Sequence, residues 1–162
     1  MGKLIIRKAK PKDMKSVARI VLDNFVTEIN NNIKELEGKE IANYDKFFEY
    51  YYTKSQYNIP FAIYIAEIND KIIGVSGGSV DEHHWGNETW GVEDFWFVKK
   101  EYRGGRAGLL LFKKLMSWFK KYKADRICMT HYTWNPKVEK FYNKMGFKPY
   151  EINYVKEMNY GS

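Results

Sequence analysis

Residues 95–108 read Phe95-Trp96-Phe97-Val98-Lys99-Lys100-Glu101-Tyr102-Arg103-Gly104-Gly105-Arg106-Ala107-Gly108, and an amphipathic run follows them. The pattern predicts a strand, a glycine-rich turn and a helix. Glycines at such a turn leave backbone N–H groups uncovered, and the helix N-terminus adds a partial positive charge. Arg103 and Arg106 bring two fixed cations to the same turn. The stretch therefore predicts a site for phosphate or pyrophosphate, although it has neither the Lys-Ser/Thr of a P-loop nor the glycine spacing of a dinucleotide fold.

The elements on either side of this stretch predict an α/β chain with a mixed sheet, in which antiparallel hairpins precede parallel crossovers. Their order is β-α-α-β-β-β-α-β-α-β, and they cover residues 4–9, 11–25, 43–54, 61–66, 71–80, 89–98, 109–119, 126–131, 136–146 and 150–157. Residues 27–40 are polar and Asn-rich, which is typical of a loop or a weak helix. Because neither a repeat nor a linker interrupts the sequence, we expect one domain over residues 1–162.

The composition is that of a globular protein. Hydrophobic residues make up 44% of the chain and charged residues 29%, which excludes wholesale disorder. The single cysteine, Cys128, excludes an intramolecular disulfide and a multi-cysteine zinc site, and no metal is expected. A reducing, cytoplasmic setting is the default for such a chain. No apolar stretch approaches the roughly 18–20 residues that cross a bilayer, so we expect no membrane partner.

The positive charge lies in one part of the chain. Residues 1–97 hold 12 basic and 15 acidic residues, a charge of −3, and residues 98–162 hold 15 and 5, a charge of +10. Such asymmetry indicates either an anionic partner for the second part or a solvated basic surface.

A second motif follows the next predicted strand: Asn135-Pro136-Lys137-Val138-Glu139-Lys140-Phe141-Tyr142-Asn143-Lys144-Met145-Gly146-Phe147. With the turn at 103–108, it resembles the GNAT superfamily of N-acetyltransferases, whose marks are Arg/Gln-x-x-Gly-x-Gly/Ala and Asn-x-x-Ala-x-x-x-Tyr-x-x-x-Gly-Phe. Arg106 stands where the first motif has a glycine, and Val138 replaces a small residue. The sequence Arg-Gly-Gly-Arg-Ala-Gly at this turn resembles that of a branch of the superfamily that includes phage-type members. The resemblance covers almost the whole chain and implies the GNAT-like acyl-CoA N-acyltransferase fold with a splayed central sheet.

The resemblance also implies a cosubstrate and its contacts. Acetyl-CoA would lie between the two splayed parallel strands at residues 89–98 and 126–132. Its pantetheine arm would pair with Phe97 and Val98 and meet Asn135. Its diphosphate would sit on the backbone of Arg103, Gly104, Gly105, Arg106, Ala107 and Gly108, and Tyr142 would protonate the departing thiolate.

The base and the acceptor site remain open. Asp94 lies near the position where the family often has a catalytic carboxylate, and a bulge would bring Glu93 there instead. His83 and His84 are alternative bases or ligands. The acceptor site has candidate lining residues in Tyr51, Trp85, His83 and His84. Glu28, Glu35, Glu37 and Glu40 either attract a cationic amine or form a solvated loop.

Three functions follow from these observations. The first is transfer of an acetyl group from acetyl-CoA to a primary amine of a small molecule or a protein, by direct attack in a ternary complex. The second is a non-catalytic module that binds acyl-CoA or a partner. A nucleic-acid-binding protein ranks last, because the chain has neither the basic-aromatic pattern of RNA-binding sheets nor helix-turn-helix spacing. Dimers are common among proteins of this superfamily, so a homodimer is one expected state.

Overall fold

The protein is described by a computed structural model over residues 2–34 and 42–156. Within these ranges lie five strands and four α-helices. The strands are β1 (Ile5–Lys8), β2 (Phe61–Ile68), β3 (Lys71–Glu82), β4 (Thr89–Val98) and β5 (Arg126–Cys128). The helices are α1 (Met14–Asn32), α2 (Tyr44–Gln56), α3 (Ala107–Lys121) and α4 (Pro136–Lys144), with short 3-10 turns at Pro11–Asp13 and Lys100–Tyr102.

The strands form one mixed sheet in the order β1-β2-β3-β4-β5, which confirms the predicted fold class. The first three pairings are antiparallel, and β4 pairs with β5 in parallel. The parallel ladder is short, because it joins only Trp90–Val92 to Arg126–Cys128. Beyond Val92 the two parallel strands part, as a splayed sheet requires, and β4 continues to Val98 paired with β3 on its other edge.

Each face of the sheet carries its own core. One core lies under α3, whose buried residues recur at helical spacing as Leu111, Leu115, Trp118 and Phe119. The other lies under α1 and α2 and includes Val17, Phe47, Tyr51 and Phe95. These two layers pack against β4 from both sides, so Trp96 and Val98 face α3 whereas Phe95 and Phe97 face α1 and α2.

Helix α1 is longer than the sequence indicated, since it continues through the Asn-rich stretch to Asn32. Polar side chains there donate to the carbonyl four residues earlier, as Asn24 does to Ile20, Thr27 to Asp23 and Asn32 to Glu28. These local bonds let side chains that usually favour turns remain inside a helix. Residues 35–41, with Glu35, Glu37 and Glu40, lie outside the described residues.

The predicted last strand at 150–157 is wrong over its described part, residues 150–156. That segment joins no ladder, and Tyr154 is 92% exposed. Its alternating sequence has a strand's period, but no described residue pairs with its backbone. Tyr150 packs against the ring of Trp90, and the apolar side chains of the segment otherwise stay largely exposed. Glu157 lies outside the described residues. The preceding strand, β5, ends at Cys128 rather than at residue 131.

Gly91 lets α3 approach the sheet closely. A Cβ built on Gly91 would lie 2.6 Å from Cδ1 of Phe119, whose ring is fully buried. We expect Gly91→Ala to lower the free energy of unfolding by about 1–3 kcal/mol, because the rigid ring must shift. Urea unfolding measures the change. Gly86→Ala is the control, since a Cβ there meets nothing within 4 Å. Equal stabilities of the two variants would contradict the close packing.

No helix among the described residues is long and apolar enough to span a membrane. The same part of the chain holds no group of three or more His, Cys, Asp or Glu side chains placed to bind a metal ion.

Candidate active site

A β-bulge in β4 separates the two adjacent carboxylates. Gly77 pairs with Phe95 and Gly78 with Glu93, so Asp94 is the extra residue on β4. Glu93 contacts α4, whereas Asp94 contacts α2. The bulge therefore directs the two side chains into different environments, as bulges beside functional sites often do.

Glu93 lies in the gap where β4 and β5 part. Its Oε2 accepts the Thr130 N–H at 3.1 Å and the Tyr142 hydroxyl at 3.1 Å. The Tyr142 Oη also lies 3.2 Å from the carbonyl oxygen of Thr130. The Thr130 N–H donates to the Glu93 side chain instead of a carbonyl oxygen of β4, which fits the end of β5 at Cys128.

Burial sets the acid–base character of this pair. Loss of hydration, with a smaller contribution from the nearby Asp94 charge, raises the pKa of Glu93 to about 7, against the two hydrogen bonds that favour the charged form. Burial and the neighbouring carboxylate also raise the pKa of Tyr142 far above its usual value. Tyr142 is thus a neutral hydroxyl that carries its proton at physiological pH, and Glu93 titrates near neutrality, as a general base requires.

Asp94 belongs to a buried polar cluster that joins β4 to α2. Its Oδ1 accepts the Tyr50 hydroxyl at 2.9 Å and lies 3.5 Å from Nζ of Lys54, and its Oδ2 accepts the Tyr51 hydroxyl at 3.2 Å. Lys54 donates to Oγ of Ser79 at 2.5 Å. The side chains of Asp94 and Lys54 are 6% and 11% exposed. Both Asp94 oxygens are therefore occupied by neighbouring side chains, and the arrangement is that of an anchor for α2.

The glycine-rich turn has the geometry of an anion site. Gly104 has φ +83°, a conformation that favours glycine, and α3 begins at Ala107. The first N–H groups of any α-helix have no acceptor within the helix, so those at the start of α3 can bind an anion. Arg106 precedes the helix with φ −81° and ψ −16°, a conformation allowed for every L-residue. An arginine in place of the family's glycine therefore causes no backbone strain.

The side chain of Arg103 organises this turn. Its Nε donates to the Val98 carbonyl at 2.9 Å, and its Nη2 donates to Oδ1 of Asn24 at 3.0 Å. Arg103 thus ties the turn both to the end of β4 and to α1. Phe97 and Val98 lie on the part of β4 beyond its ladder with β5.

The loop between β5 and α4 reaches across the gap to α1. Asn135 caps α4, since its Oδ1 accepts the Val138 N–H at 3.4 Å. Trp134 donates from Nε1 to Oε2 of Glu28 at 3.1 Å and stacks on Tyr132. Glu28 is the one member of the acidic group 28, 35, 37 and 40 that lies within the described residues, and here it holds this loop.

The predicted acceptor-site residues between β3 and β4 lie apart from Glu93. His83, His84 and Trp85 follow β3 and form a ring stack that continues to Trp90. The start of β4 at Thr89 is four residues from Glu93, about 13 Å along a strand. Trp85 is 84% exposed. Tyr51 is instead part of the α1–α2 core and bonds to Asp94. The structure thus brings Glu93 and Tyr142 together and leaves these four residues elsewhere.

Three residues make contacts in these two clusters that the sequence analysis does not predict. Nothing in the sequence singles out Thr130, because its backbone N–H makes the contact with Glu93. The position of Lys54 could have been found, since it follows Phe47 and Tyr51 at helical spacing on the buried face of α2. Tyr50 reaches Asp94 from the border of that face, which no periodicity indicates.

Comparison with known proteins agrees with this geometry. The model of the acetyltransferase (GNAT) family matches residues 25–147. No curated protein sequence matches the chain significantly. Among solved structures, a tetramutant of the BH1408 protein from Bacillus halodurans superposes with a TM-score of 0.74 at 18% identity, over 95% of this chain and 99% of that one.

Two further structures share the fold. A predicted acetyltransferase with acetyl-CoA from Clostridium acetobutylicum gives a TM-score of 0.70 at 20% identity, over 97% of this chain and 96% of that one. Glucosamine-6-phosphate N-acetyltransferase from Arabidopsis thaliana gives 0.64 at 19%, over 97% and 99%. On the family match over residues 25–147 and the shared fold, this chain belongs to the GNAT acetyltransferase family.

Proposed function

We propose that the protein transfers an acetyl group from acetyl-CoA to a primary amine of a small molecule or a protein, by direct attack in a ternary complex. The observation that carries this proposal is the contact between Glu93 and Tyr142 in the gap between β4 and β5. A carboxyl group that titrates near neutrality there contacts a neutral hydroxyl, and this pairing supports a base and an acid for the proposed reaction.

The chain's own residues then have distinct roles. Glu93 takes a proton from the attacking amine, which must be neutral to react. A backbone N–H on the unpaired edge of β4 stabilises the oxyanion that develops on the thioester carbonyl. Tyr142 donates its hydroxyl proton to the sulfur as the carbon–sulfur bond breaks. Asp94 does not touch the reacting atoms in this assignment, and holds β4 against α2.

The basic second part of the chain fits an acyl-CoA. The cosubstrate carries a diphosphate and a ribose phosphate, and the first turn of α3 offers N–H groups beside Arg106. Lys137 and Lys140 lie on α4, the next helix along the chain. The +10 charge of residues 98–162 therefore supports a phosphorylated cosubstrate, and a cytoplasmic location, consistent with the single cysteine, is part of the same proposal.

A non-catalytic module that binds acyl-CoA or a partner would fit a missing base or an altered turn at Arg106. Glu93 supplies a carboxyl group beside Tyr142, and Arg106 adopts an ordinary conformation. Both observations favour the enzyme.

The test is thiol release from acetyl-CoA with a panel of amines: a polyamine, an aminoglycoside and a peptide with a free N-terminus. We expect release that depends on one class of amine. Binding of acetyl-CoA in a thermal-shift scan without release toward any amine would favour the module. No shift with either acetyl-CoA or CoA would contradict both functions.

Gly104 should matter for binding the cosubstrate. Its φ of +83° costs an L-residue about 1–2 kcal/mol. The free turn of Gly104→Ala should therefore relax to another conformation, and restoring it on binding should weaken the affinity for acetyl-CoA by about 5–30-fold. Isothermal titration calorimetry measures the dissociation constant. Gly86→Ala is the control, because Gly86 has open space around it and no positive φ. An unchanged constant in Gly104→Ala would mean that the turn does not hold the diphosphate.

A further inference from the structure

The hydrogen bond between Tyr142 and Glu93 is a direct link between the two proton-transfer groups. The distance between Oη and Oε2 is 3.1 Å, so no water fits between them. The side chain of Tyr142 is buried, with the residue only 6% exposed. A hydroxyl in that position has poor access to bulk water once it has given up its proton, and the carboxyl group beside it is the nearest source of another.

We propose that Glu93 and Tyr142 act as one acid–base unit, in which Glu93 returns to Tyr142 the proton that it takes from the amine. The inference rests on the proposed acetyl transfer and deepens it. The proton lost by the amine nitrogen then ends on the thiol without passing through bulk solvent.

The amine nitrogen forms a bond to the carbonyl carbon, and its N–H proton moves to the free Oε1 of Glu93. The carbon–sulfur bond breaks, its electron pair leaves on sulfur, and the Tyr142 hydroxyl proton moves to the thiolate. A half-turn of the Glu93 carboxyl group presents its proton to the Tyr142 phenolate, which takes it. The products are the amide and the thiol, and both side chains regain their starting states.

The surroundings of Glu93 suit a group that must both gain and lose a proton. Tyr142 faces it from α4, the Cys128 thiol from β5, and the Thr130 N–H from the segment that follows β5. The Tyr132 hydroxyl and the adjacent Asp94 complete the polar neighbours. No ion pair joins Glu93 to a basic side chain in the described ranges. Without a fixed counter-charge, burial keeps the pKa of Glu93 near 7, so neither protonation state is locked.

The first test follows turnover in Glu93→Gln, Tyr142→Phe and the double variant, with thiol release as the assay. We expect each single change to lower kcat by about 10²–10⁴-fold. In one unit the second change costs little more, so the double variant should match the weaker single variant within a few fold. Losses that multiply in the double variant would overturn the proposal, because they would show two groups acting independently.

The second test needs no turnover. The protein is labelled with ¹³C at the glutamate side chains, and the Glu93 carboxyl signal is titrated by NMR in the absence of ligand. The Tyr142 hydroxyl bond favours the carboxylate, so Tyr142→Phe should shift the Glu93 midpoint to higher pH. Tyr132→Phe is the matched control and should leave it in place, because burial and the nearby carboxylates raise the pKa of Tyr132 to about 12, so its hydroxyl is neutral throughout the titration. An unmoved midpoint in Tyr142→Phe would overturn the coupling.

The two tests separate the inference from the proposed function. A shifted midpoint with no thiol release toward any amine would contradict acetyl transfer, and with it the relay, while leaving the coupled pair standing. Thiol release with an unmoved midpoint and multiplicative losses would support acetyl transfer and overturn the relay.

Discussion

Asp94→Ala should lower the free energy of unfolding by about 3–5 kcal/mol, the usual cost of breaking a buried ion pair by removing one partner. The substitution leaves Nζ of Lys54 buried beside Ser79 without its counter-charge. It also removes the acceptor of the Tyr50 and Tyr51 hydroxyls. Because Asp94 joins the bulge of β4 to α2, the loss should be cooperative, and urea unfolding followed by tryptophan fluorescence measures it.

Three further variants separate the causes. Asp94→Asn keeps a carbonyl acceptor and should cost less than Asp94→Ala. Combining Asp94→Ala with Lys54→Met removes the orphaned charge as well, so the pair should be more stable than Asp94→Ala alone. Glu49→Ala is the surface control on the same helix, since Glu49 pairs with an exposed Lys46 and such pairs are worth roughly 0–1 kcal/mol. If Asp94→Ala cost no more than Glu49→Ala, the cluster would not be an anchor.

The turn at residues 98–108 could be predicted from the sequence because its constraints are local. Gly104 supplies the positive φ, and the apolar period of α3 starts directly after the turn. Arg106 departs from the motif in residue type, because the motif has a glycine at this position. The structure shows that its backbone conformation does not require glycine, and φ cannot be read from a sequence.

The choice between Glu93 and Asp94 could not be made from the sequence. Two adjacent residues on a strand face opposite sides, so either assignment fitted one face. The bulge places Glu93 against Tyr142 and Asp94 against α2. It depends on contacts distant in sequence: Gly77 and Gly78 on β3, and the hydroxyls of α2 that hold Asp94. The length of β5 has the same kind of cause, because the Glu93 side chain takes the Thr130 N–H.

The residues after α4 are predicted to form a strand, but they form none over residues 150–156. Their alternating apolar pattern has the period of a strand, and the prediction depends on that pattern alone. A strand also needs a partner for its backbone, and residues 150–156 join no ladder with the rest of the described chain. Period is a property of the segment, whereas pairing is a property of the whole fold.

Glu93→Gln should stabilise the protein above pH 7 even as it lowers turnover. The pKa of Glu93 is about 7 in the folded chain, against an ordinary value of 4.5. Between these values the folded state binds more protons than the unfolded state, so stability falls as the pH rises. Each pKa unit corresponds to about 1.4 kcal/mol, which gives a cost of about 1–3 kcal/mol once the carboxyl group is charged. Glutamine carries no charge and keeps a carbonyl acceptor for Thr130, so it avoids that cost.

The expected signature is a difference between two pH values. At pH 4 the Glu93 carboxyl group is mostly protonated in both the folded and the unfolded state, so Glu93→Gln and the parent should have similar melting temperatures. At pH 8 the variant should melt several degrees higher. Glu88→Gln is a control of opposite sign. Arg126 holds the pKa of Glu88 below its usual range, so that carboxylate stabilises the folded state, and its loss should lower the melting temperature at pH 8. A Glu93→Gln variant less stable than the parent at pH 8 would mean that the carboxylate is well solvated or paired. It would then lack the raised pKa that a base working near neutrality requires.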